Sequence, residues 1–166
     1  MNELFTKRKS IRKYDKTKPI AGEQLHLLLK AAMHAPSACN SRPWEFISIT
    51  KREVLDKIAE IHPFAKMCAT ATAAIVVVAI PQEGRAEGYF PQDCGAATQN
   101  ILLQASHMGL GTCWCGVYPR LERMASIADL LDIKNPKLPF CVIAIGIPDE
   151  EPEVRGFFEA EKVQHI

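Results

Sequence analysis

The sequence predicts a three-layer α+β domain, with helices covering both faces of a central sheet. Three observations predict it. Helical and strand patterns alternate along the 166-residue chain without a break. Residues 74–80 form an apolar, β-branched run with no polar face, as in a strand buried on both sides. Residues 91–108 carry Ala96, Ala97, Ile101, Leu102 and Ala105, a small-residue apolar surface suited to packing on such a sheet. No repeat, low-complexity tract or Gly/Ser linker divides the chain, so 1–166 reads as a single domain.

The elements follow in order. Near the start of the chain lies Lys7-Arg8-Lys9-Ser10-Ile11-Arg12-Lys13-Tyr14, in which five of eight residues are basic. If this segment is extended, Arg8, Ser10 and Arg12 point the same way and offer two guanidinium forks and a hydroxyl to an anionic group. Residues 22–35 place Leu25, Leu28, Leu29 and Ala32 at helical spacing until Pro36 stops the helix. Two prolines and a set of small polar residues then form a rigid loop, 36–43, followed by a strand at 44–50. Thr50 and Glu53 read as a capping box opening a helix through Glu60. A short helix is expected at 64–70, the buried strand at 74–80, and the long helix at 91–108, ended by Gly109 as a C-cap. Strands at 112–117 and 140–147 flank a helix at 121–131. After Pro148 the pattern fades, and Val154, Phe157, Phe158 and Val163 give an arm with apolar groups but no element of its own.

Composition narrows the partners. Twenty basic and nineteen acidic residues leave a net charge of +1, too balanced to grip a nucleic-acid backbone. The six cysteines contain no C-x-x-C pair, and the Cys113-Trp114-Cys115 stretch has poor zinc spacing, so no metal site is expected. Free thiols and charges at the start suit a reducing cytoplasm. The longest apolar run, 73–80, is too short to span a membrane. Cys113 and Cys115 share one strand face and read as small buried hydrophobes. Trp44 and Trp114 read as core, His34 and His62 as residues at helix ends, and Asp93 as a carboxylate favoured by a helix N-terminus.

The ordered motifs carry more than any one of them alone. Arg8-x-Ser10-x-Arg12-x-Tyr14, the loop Pro36-Ser37-x-x-Asn40-x-x-Pro43-Trp44-x-Phe46, the segment Gly109-Leu110-Gly111-Thr112-x-Trp114 and the tail 158–165 together resemble the FMN-dependent nitroreductase family over nearly the whole chain. The resemblance implies a mixed, mainly antiparallel sheet and a homodimer whose C-terminal arm extends onto the partner, with one FMN per subunit at the interface. Arg8, Lys9 and Ser10 match positions that hold the FMN phosphate and ribityl chain, and Arg12 a basic position near the pyrimidine edge. Ser37 and Asn40, with Pro36 and Ala38 of the same loop, match residues reaching the cofactor from the other subunit. Cys115 and Gly116 match a stretch whose backbone faces the flavin N5. Lys66 matches a second basic residue near the pyrimidine edge, and Arg155 a phosphate-site residue.

Two departures stand out. Arg42 occupies a usual glutamine position, and Phe157 a usually basic one. The implied activity is NADH- or NADPH-driven reduction of electron-poor acceptors, such as nitroaromatics or quinones, by a ping-pong cycle in which the flavin carries the chemistry. Two alternatives stay open on the residues alone: a flavin-storage protein with little turnover, and a regulatory module binding an anion or nucleotide without flavin.

Overall fold

A computed structural model describes residues 2–153, 156 and 158–166. Its helices are α1 (Glu3–Lys7), α2 (Gly22–Met33), α3 (Arg52–Ile61), α4 (Phe90–His107) and α5 (Leu121–Leu131). Its strands are β1 (Trp44–Ile49), β2 (Ala73–Ala79), β3 (Gly111–Gly116) and β4 (Leu138–Gly146). They form one sheet in the order β1-β2-β4-β3, and every neighbouring pair runs antiparallel. Among the described residues, the expected mixed character is seen in an isolated parallel bridge between Ser10 and Thr112.

Period-two alternation divides the core between the two faces of the sheet. Ala73, Ile75, Val77 and Ala79 of β2, with Cys141, Ile143 and Ile145 of β4, pack with α2 and α4. Ala74, Val76 and Val78, with Val142 and Ala144, pack on the other side with Leu55, Ile58 and Ile127 from α3 and α5. Every residue of β2 is buried, as an apolar run without a polar face requires. The register slips between Val77 and Val78, where an irregularity interrupts the pairing with β4.

Local chemistry sets the ends of the helices. Gln24 Oε1 accepts the Ala21 N–H at 3.0 Å and closes the start of α2. The expected Thr50–Glu53 capping box is absent: α3 starts after Lys51, with no side-chain cap. Lys51 and Glu53 at its start are exposed, where water can satisfy open N–H groups. Arg52 instead donates from Nη1 to the Ala71 carbonyl at 2.7 Å and so ties α3 to the loop before β2. The expected helix at 64–70 is a single 3-10 turn, Lys66–Ala69. Gly109 (φ 72°) ends α4 in a Schellman arrangement, with Leu110 N–H donating to Ala105 at 2.8 Å and Gly109 N–H to Ser106 at 3.2 Å. α1 has no apolar face buried, which is why hydrophobic periodicity did not reveal it.

The basic segment crosses the end of the sheet formed by the start of β3 and the end of β4. Ile11 N–H donates to the Thr112 carbonyl at 2.9 Å, and Tyr14 bridges to Pro148. Two glycines permit this approach. A Cβ on Gly111 would come within 2.8 Å of the Ile11 side chain, and one on Gly146 within 2.7 Å of the Tyr14 ring. Tyr14 is 3% exposed, and its hydroxyl donates to the Ile11 carbonyl, with the Ala144 carbonyl 3.3 Å away. Beyond Pro148, among the described residues, the tail has one 3-10 turn, Ala160–Lys162, and exposes Phe158 and Ile166.

Candidate functional site: a basic cavity and the open edge of β3

Docking the segment 8–14 onto the sheet end brings Arg8, Lys9, Ser10 and Arg12 together around one cavity of about 270 Å³. Glu150, Pro152 and Glu153 complete its wall. The expected row of Arg8, Ser10 and Arg12 is therefore in place, and Lys9 joins it. Lys9 Nζ donates to the Pro152 carbonyl, which holds the tail against the row. The Glu150 carboxylate accepts from the main-chain N–H groups of Arg12 and Lys13. Three cationic side chains and a hydroxyl around one hollow fit a phosphate or another anionic oxygen group.

The loop 36–43 lies elsewhere. Ser10 pairs with Thr112 near one end of the sheet, whereas Trp44 pairs with Ala79 at the other end, and β1 and β3 are opposite edges. Ala38–Asn40 forms a 3-10 turn, and Cys39, Asn40 and Arg42 all take left-handed φ angles near 50°. Such angles cost non-glycine residues free energy, so the loop must be held. Ser37 Oγ accepts the Arg42 N–H at 2.9 Å, and Asp93 Oδ1 of α4 accepts the Ala38 N–H at 3.0 Å. Asp93 is thus a tether for this loop as well as an acidic residue in the first turn of a helix. Its Oδ2 and the Ser41 hydroxyl are buried without a partner among the described residues. Arg42 is exposed and reaches Asn40 Oδ1 at 3.4 Å.

β3 presents the third part. Thr112 and Gly116 turn their carbonyls away from β4, toward Ile11 and His62, so by alternation Trp114 and the Gly116 N–H also face the outer edge. The cover over that edge ends with Ile11. Cys113 and Cys115 point inward, 4% and 2% exposed, as expected. Cys115 donates to the Phe64 carbonyl at 3.3 Å. Pairing with Cys115, aided by the Arg12 guanidinium, holds the Cys113 thiol down, while the same pairing and burial hold Cys115 up. Trp114 corrects the core reading: it is 38% exposed and lies over α4 at Gly95 and beside Phe140.

Lys66 does not join the cavity; its ammonium donates to the Ala59 carbonyl at 2.9 Å and caps the end of α3. Arg155 and Phe157 lie outside the described residues. His62, read only as a helix end, is buried, and it is a C-cap whose ring engages β3. Periodicity could not find it, because its partner is fifty-four residues away.

The chain is an α+β domain with helices on both faces of an antiparallel sheet and a basic row docked at one strand end. The family model named Nitroreductase family matches residues 5–64 and 61–147, and the chain belongs to that family. A protein of Methanothermobacter thermautotrophicus, provisionally named NADH dehydrogenase/NAD(P)H nitroreductase, is 41% identical over 161 residues, covering 97% of this chain and 84% of its own. A crystal structure from Parabacteroides distasonis under the same provisional name superposes with a TM-score of 0.91 at 37% identity, covering 98% of this chain and 95% of that one. An FMN-dependent nitroreductase from Clostridium difficile superposes with a TM-score of 0.90 at 30% identity, covering 99% and 98%.

Proposed function

We propose that this protein is an FMN-dependent enzyme that takes electrons from NADH or NADPH and passes them to electron-poor acceptors, nitroaromatics or quinones among them. The coarser statement, an NAD(P)H-dependent oxidoreductase, follows from family membership. The observation that carries the finer one is the convergence of Arg8, Lys9, Ser10 and Arg12 on one hollow beside an open strand edge. The donor set fits the phosphate end of FMN, and the unpaired edge offers main-chain groups to a flat ring.

FMN, when bound, supplies the two-electron chemistry, accepting hydride from the nicotinamide and giving it up to an acceptor. The chain binds and tunes. Arg8 and Lys9 hold the phosphate by charge, and Ser10 donates to it or to the ribityl chain. The Arg12 guanidinium would stabilise negative charge on the reduced ring. The outward Gly116 N–H would help orient the ring. Ser37, Asn40 and the turn through Pro36 and Ala38 lie too far from the cavity within one chain, so they serve the site of a second copy across a homodimer interface. One site then meets donor and acceptor in turn, a ping-pong cycle. The protein works in the cytoplasm, where its six free thiols remain reduced.

The test is an absorption spectrum of purified protein, recorded before and after anaerobic NADH and then NADPH. The expected result is flavin bands, with the longer-wavelength one at about 450 nm, that bleach with at least one donor. Protein that stays colourless after reconstitution with FMN refutes the reading. Flavin that binds but does not bleach identifies a storage protein instead.

A further inference from the structure

His62 is 1% exposed and sits where α3 ends. Its ring makes two hydrogen bonds with opposite roles. Nδ1 accepts the Phe64 N–H at 3.2 Å, so in the neutral ring the proton is on Nε2, and Nε2–H donates to the Gly116 carbonyl at 3.0 Å. The same carbonyl accepts from Arg123 Nη1 of α5 at 3.1 Å. The Arg123 guanidinium lies 4.8 Å from the centre of the Phe64 ring, closing a circuit of His62, Phe64, Arg123 and Gly116. Among the described residues no strand covers the outer edge of β3 at this point, so these two donors do what a neighbouring strand would otherwise do.

We propose that His62 is a positioning residue for the flavin, holding the last residue of β3 so that the Gly116 N–H keeps a fixed outward direction. This rests on the flavin reading above. A loose strand end would present that N–H over a range of directions and lose the orientation the ring needs. A histidine suits the task because one ring both accepts from the Phe64 turn and donates to β3. Alanine can do neither, and glutamine can do both with its amide.

The device responds to pH. Burial, the largest influence, lowers the His62 pKa below its ordinary 6.5; the bond to the Gly116 carbonyl opposes it, and the Arg123 and Lys66 charges add to the lowering. Arg123 of α5 and Lys66 are the charged groups that act on the ring, and the Cys115 thiol of β3 donates to the Phe64 carbonyl at 3.3 Å. A proton added at Nδ1 would face the Phe64 N–H and open that bond. The Phe64 anchor of the clamp is therefore intact at and above the ordinary histidine pKa and is lost as pH falls through the lowered value, leaving the ring tied to Gly116 alone.

The experiment compares the full-length wild type with His62→Ala and His62→Gln. FMN affinity is measured by fluorescence titration across pH 5.5 to 8, and the flavin midpoint potential at pH 7.5. His62→Ala is expected to weaken FMN binding ~10-fold at pH 7.5 and shift the potential. His62→Gln is expected to stay within ~3-fold of wild type and to lose the drop in affinity at low pH. Wild-type affinity and potential in His62→Ala, or a glutamine variant as weak as the alanine one, overturn the proposal while leaving the flavin reading intact. Failure of the wild type to bind FMN overturns both. If His62→Ala does not fold, the glutamine variant decides alone: an unchanged acid-side drop in its FMN affinity overturns the proposal, and a lost drop supports it.

Discussion

The two halves of β3 have the same pairing on one side and opposite fates on the other. Both bond to β4 in unbroken antiparallel register, from Gly111 opposite Gly146 to Gly116 opposite Cys141. The outer edge of the first half is closed by main chain, where Ile11 bonds to Thr112. The outer edge of the second half carries side-chain donors from His62 and Arg123 on Gly116 and leaves its N–H groups facing out. An unpaired edge invites unwanted pairing with other chains, and proteins normally cover it. Here the cover stops partway. The covered half anchors the basic segment, and the other half leaves its main-chain N–H groups facing outward.

Substitutions can break this contrast, in decreasing order of effect. Gly146→Ala places a methyl group against the Tyr14 ring, and overpacking of this kind costs about 1–3 kcal/mol. It should lower the midpoint in urea and release the basic segment, seen as loss of FMN uptake by the protein that still folds. Tyr14→Phe removes a buried hydroxyl that donates to the Ile11 carbonyl and should cost about 1–2 kcal/mol in the same unfolding assay. Asp93→Ala leaves the half-buried Ala38 N–H without its acceptor, and roughly 1 kcal/mol of stability should go. Arg8→Ala, on the rim of the cavity, should change stability by less than about 0.5 kcal/mol yet reduce FMN retention on gel filtration. Unchanged retention would remove Arg8 from the anion site. The smallest effect is on pH. A histidine with a lowered folded pKa binds fewer protons folded than unfolded, so stability from His62 is full above pH 6.5 and declines as pH falls through the window below it. His62→Gln should flatten the acid side of a plot of stability against pH.

How much of this was legible in the chain depends on the range of the signal. β2 could be read because seven consecutive apolar residues admit few other environments. α5 was legible to the residue, at Leu121–Leu131. The grouping of Arg8, Ser10 and Arg12 could be read because charge type and spacing are local facts, and the three line one cavity. Lys66 could not be placed, since nothing local distinguishes a lysine that meets a ligand from one that caps the helix behind it. The Thr50 box failed because a matching spacing does not oblige a helix to begin there. Trp114 was read as core although it sits on an edge strand, where one face of a tryptophan can remain in water. His62 and Asp93 act across fifty-four and fifty-five residues of sequence, and only the fold brings their partners into reach.

The separation of the basic cavity from the loop 36–43, at opposite ends and opposite edges of one sheet, has a genetic consequence. If each site takes the cavity from one subunit and the loop from the other, damage to the two parts should complement. Arg8→Ala and Asp93→Ala proteins, unfolded together and refolded as a mixture, would form hybrid dimers in which one site inherits both lesions and the other inherits neither. With random pairing, about a quarter of all sites would regain wild-type FMN affinity, although neither parent has any such site. Two lesions within the same part, such as Arg8→Ala with Ser10→Ala, would give no such recovery.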